Sequence, residues 1–350
     1  MKFEPYFGGP DQPPGYLRDI LSERIAAVRR GGEIDWVTYY FRDRRLAEEL
    51  LRAHRRGVRV RLTIEKTPRL RHANERVLSM LRGPDGLGEG LRAISHRLLP
   101  GLRWKPHLHE KIYCFSEPKP VAFVGSFNPS GDVPEAEPQI INDIMDHDRG
   151  HNALVALHER DLVNGLTEHA RRMHTAPHGI LERFDRTMNQ PIGAEETVIH
   201  FLPRLGPDPV SALLARFGNG AKAKFAASHI KGWGATSGFV GLARRGADVE
   251  VLAEDSRRRV PPSIDRQLAD AGVKLTRFPH RTNLPMHHKF ALIEDQRGCW
   301  TAFGSYNWTT RSRWLNHEVC VITPDRDLFE AFAERWEVLT DLAAGATVEA

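Results

Sequence analysis

The sequence predicts an α/β protein built from two similar lobes, and three observations carry that prediction. A stretch spanning residues 107 to 128 has a second version at 286 to 308; strand-like and helix-like runs alternate around both copies; and the periodicity fails between them. The length of 350 residues fits, because one domain commonly takes roughly 150.

Taken in order, FGGPDQPPGYLRDIL near the N-terminus is answered loosely by FLPRLGPDPVSALLA in the second half. The helix-like RRLAEELLRAHRR leads into GVRVRLTI (57–64), and SGFVGLARR leads into GADVEVLAE (246–254). HLHEKIYCFSEPKPVAFVGSFN then matches MHHKFALIEDQRGCWTAFGSYNW, with His109 and Lys111 answering to His287 and Lys289, and Asn128 to Asn307. The gap from lysine to glycine is 14 residues in one copy and 15 in the other. Each half closes on a strand and an amphipathic helix, HNALVALHERDLVNGLTEHARRM (151–173) and HEVCVITPDRDLFEAFAERWEVL (317–339). Turn formers collect over 173–196, which places the lobes at 1–185 and 186–350. Each lobe is expected to hold a mixed, mainly parallel sheet flanked by helices. A pseudo-twofold axis would relate the lobes and put a site at their interface. With both copies in one chain, a monomer suffices.

Hydrophobic content of 41% with 27% charge excludes a disordered chain, and no apolar run is long enough for a membrane span or a signal peptide. Cys114, Cys299 and Cys320 are sparse, odd in number and without paired spacing, which argues against disulfides and zinc knots and for a cytoplasmic protein. The net charge of +5, from 50 cations against 45 anions, suits an anionic substrate without marking a dedicated nucleic-acid binder.

Residues i and i+2 of a strand share a face, so His109 and Lys111 project together, as do His287 and Lys289. A Gly-Ser-x-Asn turn offers backbone N–H groups, the hydroxyl of Ser126 or Ser305, and the amide of Asn128 or Asn307, a set suited to phosphate oxygens. Convergence of both halves on one tetrahedral anion makes a phosphoryl-transfer site. One imidazole attacks phosphorus as the neutral base, and the other, protonated, donates to the leaving oxygen. Lysines and amide donors stabilise the charge on the transition state, and no metal or cofactor is required.

With these residues in place, the chain resembles the phospholipase D superfamily, whose signature is a duplicated His-x-Lys followed by Gly-Ser-x-Asn. The resemblance covers nearly the whole chain. It implies a covalent phosphohistidine, usually on the N-terminal histidine, which assigns His109 as nucleophile and His287 as general acid. It also implies a phosphodiester substrate cleaved by hydrolysis or transfer. Phospholipid is the first substrate class, with contact at the membrane surface; nucleic acid ranks second; and a non-catalytic phosphate-binding module is a third reading. Two departures stand out. The aspartate usual five residues after each motif lysine is replaced by Ser116 and Glu294. The acidic residue that in this family orients a histidine from beyond Gly-Ser-x-Asn is present as Glu318, whereas its counterpart is Asn152. Family precedent for support across the lobe interface assigns Glu318 to His109 and leaves His287 to Asn152, Asp143, Asp146 or Asp148.

A zinc site on His107, His109 and either His287 or His288 is disfavoured by the adjoining lysines and the lack of a carboxylate or cysteine partner. His107 and His288 lack the lysine spacing and are expected outside the chemistry, with His288 turned away. Two stretches differ between the halves. Residues 84–104 carry Leu87, Leu91, Ile94 and Leu98 at helical spacing beside Arg92, Arg97 and Arg103, an amphipathic segment that would cover the core or meet a membrane surface. Residues 131–150 hold six acidic side chains directly after the first turn, a rim that repels a long polyanion.

Overall fold

The computed structural model describes residues 2–96, 105–131, 150–179, 182–232, 234–279 and 284–348. Leu98, Arg97, Arg103, Asp143, Asp146 and Asp148 lie outside the described residues.

The strand–helix alternation builds two large sheets. In the first half the elements run β1 (Phe3–Phe7), α1 (Tyr16–Ala27), β2 (Glu33–Thr38), α2 (Arg44–Arg55), β3 (Arg59–Glu65), α3 (Glu75–Arg82), β4 (Leu91–Ile94), β5 (Ile112–Phe115), β6 (Val121–Gly125), β7 (Ala153–Leu157) and α4 (Arg160–Thr175). The second half runs β8 (Ile192–Ala194), β9 (Thr197–Leu202), α5 (Pro209–Leu214), β10 (Lys222–Ala227), β11 (Ile230–Lys231), α6 (Ser237–Arg244), β12 (Asp248–Glu254), α7 (Pro262–Ala269) and β13 (Lys274–Phe278). It ends with β14 (Lys289–Asp295), β15 (Gly298–Gly304), β16 (Trp308–Thr309), α8 (Thr310–Trp314), β17 (Glu318–Thr323) and α9 (Arg326–Val348).

The strand order is β1-β7-β6-β5-β2-β3-β4 in the first sheet and β13-β12-β10-β14-β15-β17-β9-β8 in the second. Read from its other end and without β8, the second repeats the first strand for strand, so the duplication seen in sequence is a duplication of topology. Only β2–β3–β4 and β10–β12–β13 are parallel; the remaining large-sheet pairs are antiparallel. The expectation of mainly parallel sheets is corrected here. Helical crossovers produce the parallel strands, but the motif strands β5 and β14 turn back directly into β6 and β15 as hairpins, and a hairpin is antiparallel.

Helices on the outer faces follow their apolar stripes. In α2, Leu46, Ala47, Leu50, Leu51 and Ala53 are buried, and the Asp43 side chain accepts the Leu46 N–H at 3.0 Å to cap the first turn. Leu162, Leu166, Ala170 and Met173 of α4 and Leu328, Phe332, Trp336 and Leu339 of α9 share one buried cluster with both sheets. The long C-terminal helices are therefore sandwiched between the lobes.

The segment after residue 84 departs from the helix its spacing suggested. Leu91 to Ile94 form the edge strand β4, parallel to β3, and Leu87 packs into the core from the preceding turn. A turn residue and two strand residues happen to fall at helical spacing. Cys114, Cys299 and Cys320 are buried free thiols. Among the described residues no helix is long and apolar enough to cross a membrane.

Candidate active site

Each motif histidine sits just ahead of a central strand of its own sheet, and each is fastened to the other lobe. His109 donates its backbone N–H to the carbonyl of His317 at 2.9 Å, and His287 donates to the carbonyl of His151 at 3.0 Å. The residues that follow those two carbonyls are Glu318 and Asn152. His109 Nδ1–H donates to Glu318 Oε2 at 2.7 Å, and His287 Nδ1–H donates to Asn152 Oδ1 at 2.7 Å. Each lobe thus orients the other lobe's imidazole, one with a carboxylate and one with an amide.

The two serines are corrected in place. Ser126 and Ser305 are buried, and their hydroxyls donate to Asn152 Oδ1 at 3.1 Å and to Glu318 Oε2 at 2.6 Å. The Ser126 and Ser305 hydroxyl oxygens in turn accept the N–H groups of Ala153 and Val319, each at 3.0 Å. Their protons are spent on the orienting groups, so they do not supply donors to an anion. The glycines before them allow the close approach this requires: a Cβ on Gly125 would lie 2.1 Å from the Ala153 carbonyl oxygen, and one on Gly304 would lie 2.3 Å from that of Val319.

Lys111 and Lys289 are also buried, and each ammonium donates to the carbonyl of the histidine two residues earlier, at 2.8 and 2.6 Å. Their charges act on the imidazoles. Burial first, then Lys111 and Lys289, hold His109 down at about 4 against the opposing pull of Glu318. His287 is pushed well below the ordinary histidine range by burial, Lys289, Arg259, Lys111 and His109. Burial raises Glu318, but the His109 and Lys111 charges and the bonds from His109 and Ser305 outweigh it and hold the carboxyl below its usual range.

His109, Asn128, His287 and Asn307 line one cavity of about 540 Å³ between the lobes. Its wall also includes Tyr39, His229, Arg69, Lys231, Arg258, Arg259 and Arg311. The Tyr39 ring packs edge-on to His109 with centroids 4.9 Å apart. These side chains come from the loops after β2, β3, β10 and β12, from β11 and from α8; of them the sequence marked only Arg258 and Arg259, within the run Arg257-Arg258-Arg259, as a candidate phosphate-binding cluster. His288, by contrast, is buried against Phe7 and Phe290. Ser116 accepts the Glu33 N–H at 2.8 Å, and Glu294 is exposed near the far end of β14, so the positions departing from the family pattern are remote from the histidines.

Two further carboxylates escaped the sequence reading. Glu65 and Glu254, at the ends of the equivalent strands β3 and β12, are buried and accept the backbone N–H of Leu108 and of Met286, each at 2.9 Å. They fix the residue before each motif histidine. A charged residue closing both copies of an otherwise apolar strand end, Thr-Ile-Glu and Leu-Ala-Glu, was the available signal.

Comparison with known proteins agrees with this architecture. A family model described as cardiolipin synthase, phospholipase D-like domain, matches residues 24–132 and 227–339. Over 98 residues the chain is 32% identical to the mitochondrial cardiolipin hydrolases of Xenopus tropicalis and Xenopus laevis; the match spans 28% of this chain and 44% of each relative. Among solved structures, the phosphatidylserine synthase of Haemophilus influenzae Rd KW20 superposes with a TM-score of 0.65 at 10% identity, over 97% of this chain and 86% of that one. The polyphosphate kinase of Porphyromonas gingivalis gives 0.62 at 14% identity, over 97% of this chain and 47% of that one.

Proposed function

Since the chain belongs to the phospholipase D-like family, we propose that it is a phosphodiesterase or phosphatidyltransferase acting through a phosphohistidine on His109. The observation that carries this reading is the cross-lobe pair of Nδ1 bonds, His109 to Glu318 and His287 to Asn152, at the wall of one cavity.

With Nδ1 tied to the opposite lobe, Nε2 is the reacting nitrogen of each ring. The His109 Nε2 lone pair forms the bond to phosphorus, the bond from phosphorus to the leaving oxygen breaks, and His287 gives that oxygen its proton. Phosphorylation leaves an imidazolium on His109, and Glu318 is the charge that stabilises it. His287, facing a neutral amide, is the stronger acid. In the second half-reaction His287 takes a proton from water or an alcohol, whose oxygen attacks phosphorus as the bond to Nε2 breaks. Lys111, Lys289, Asn128 and Asn307 hold the phosphoryl oxygens or supply field at the transition state.

Phospholipid is the substrate class we favour, supported by the cardiolipin hydrolases matched at 32% identity. The arginines and lysine on the cavity wall favour nucleic acid as the second reading, because a cationic groove suits a polyanion.

A p-nitrophenyl phosphodiester separates the two histidines, because a good leaving group needs no acid. His287→Ala should still form the adduct on that substrate, though it loses about a hundred- to ten-thousand-fold on one with a poor leaving group. His109→Ala should form none. Mass spectrometry after alkaline quenching locates the phosphoryl group, and an adduct on His287 would reverse the roles. Turnover compared on cardiolipin, phosphatidylglycerol and single-stranded DNA decides the substrate class.

A further inference from the structure

Next to the nucleophile's support, but outside the cavity, three histidines from separate segments face one another. His96 lies two residues past β4, His178 three residues past α4, and His317 immediately before β17. One ring nitrogen of each falls within 4.8 Å of the others. Ring centroids are 5.3 Å apart for His96 and His317, 6.2 Å for His96 and His178, and 6.1 Å for His178 and His317.

His96 and His317 are 2% and 1% exposed, yet none of their four ring nitrogens has a hydrogen-bond partner among the described residues. Buried imidazole nitrogens normally find partners, because leaving one unpaired forfeits the bond it made to water. The other half of the molecule shows the ordinary solution. His151 occupies the position equivalent to His317, and there Arg335 Nη2 reaches its Nδ1 at 3.2 Å. At His317 the sequence supplies two more imidazoles instead.

We propose that His96, His178 and His317 form a binding site for a divalent transition metal of the zinc class, which ties the first lobe to the segment of the second lobe that holds His109. The site is distinct from the phosphoryl-transfer centre and takes no part in the reaction there.

The donor chemistry fits. Three neutral nitrogen ligands suit zinc, cobalt, nickel or copper rather than magnesium or calcium, and leave a fourth position for water. His178 donates Nε2–H to the Met173 carbonyl at 2.8 Å, which keeps its Nδ1 as the lone pair. Glu65 lies buried with Oε2 3.8 Å from His96 Nδ1, beyond hydrogen-bond reach but near enough to offset a bound metal's charge. Metal–nitrogen bonds of about 2.0–2.1 Å place tetrahedral nitrogens about 3.3 Å apart, so each ring need move inward by only about 1 Å. His317 also explains why the position matters: its carbonyl accepts the His109 N–H, its own N–H donates to the His107 carbonyl at 2.9 Å, and its neighbour is Glu318.

The test uses tag-free, chelator-stripped full-length protein titrated with Co²⁺ and then competed with Zn²⁺. One Co²⁺ per chain is expected, with the intense visible absorption of four-coordinate cobalt, together with a Zn²⁺-dependent rise in melting temperature. His178→Asn, a half-buried position past the end of its helix, should weaken binding by more than the roughly ten- to hundredfold that a lost outer partner costs, and should abolish the melting shift. His96→Asn should do the same; if it fails to fold, His178→Asn carries the test. His287→Asn should bind as the wild type does. No stoichiometric binding, binding unchanged in His178→Asn, or binding lost in His287→Asn would each overturn the proposal, the last by placing the metal on the motif histidines.

Discussion

At the scale of single residues, the two imidazoles differ in their partners more than in their burial. Both are depressed, so in the free protein each ring is the neutral imidazole with its one proton on Nδ1, although the proposed chemistry needs a second proton on His287 Nε2. The substrate's own negative charge resolves this. An oxyanion in the cavity opposes the Lys289, Arg259 and Lys111 charges that hold His287 down, and raises its affinity for a proton. Tungstate binding should therefore take up close to one proton near neutrality and should weaken as the pH rises. Calorimetry in two buffers of different ionisation heat measures the uptake, and His287→Gln should remove it while retaining binding. Equal observed heats in the two buffers would exclude a substrate-assisted acid. Much of this site was legible because duplication repeats residue types: His109, Lys111 and Asn128 recur as His287, Lys289 and Asn307. The unequal pair Glu318 and Asn152 was legible for the same reason. The roles of Ser126 and Ser305 were not, because a hydroxyl at a turn can face a ligand or a neighbouring strand, and only the approach of β6 to β7 and of β15 to β17 decides which.

At the scale of elements, the motif glycines are packing devices. Gly304 and Gly272 both have positive φ, 142° and 77°, but an added Cβ at Gly272 meets nothing within 4 Å, whereas at Gly304 it meets a strand carbonyl. Backbone strain of this kind costs about 1–3 kcal/mol. Gly304→Ala should exceed Gly272→Ala in lost stability, measured by denaturant unfolding, and should also lower turnover because Ser305 and Glu318 shift with the strand. Equal losses at the two sites would mean that the close approach of β15 to β17 carries no weight. The elements also show where sequence patterning stops. Alternation of helix and strand specified the parallel strands β2–β3–β4, but period and composition do not say which neighbour a strand pairs with, so the antiparallel majority was invisible. Leu87, Leu91 and Ile94 satisfied a helical template because a half-buried edge strand and its preceding turn offer apolar residues at the same intervals. The histidines 96, 178 and 317 are 82 and 139 residues apart, too far for any spacing rule to connect them.

At the scale of the whole molecule, the interface is where most of the unusual histidine chemistry collects, because each lobe completes the other. The interleaved segments at 107–109 with 317–318 and at 151–152 with 285–287 bury side chains that water would otherwise protonate. His288, fully buried between aromatic rings with neither ring nitrogen hydrogen-bonded among the described residues, is held well below its ordinary range by burial, then by Arg335, His151 and Lys289. His200 is held at about 4 by burial and Arg204. The sign follows from which state binds protons: the unfolded chain takes them up near 6.5, while the folded chain resists, to about 4 at His200 and to well below the ordinary range at His288. Stability contributed by these neutral rings is therefore complete above pH 6.5 and is lost as the pH falls below it, at His200 down to about 4. Each such histidine steepens the fall by up to about 1.4 kcal/mol per pH unit. Replacing His288 with leucine, which fills the same apolar pocket without titrating, should flatten the dependence of unfolding free energy on pH by close to one proton's worth across that window. Wild type and His288→Leu losing stability with the same slope would show that the folded protein already protonates this ring, and that burial between the lobes does not exclude the charge.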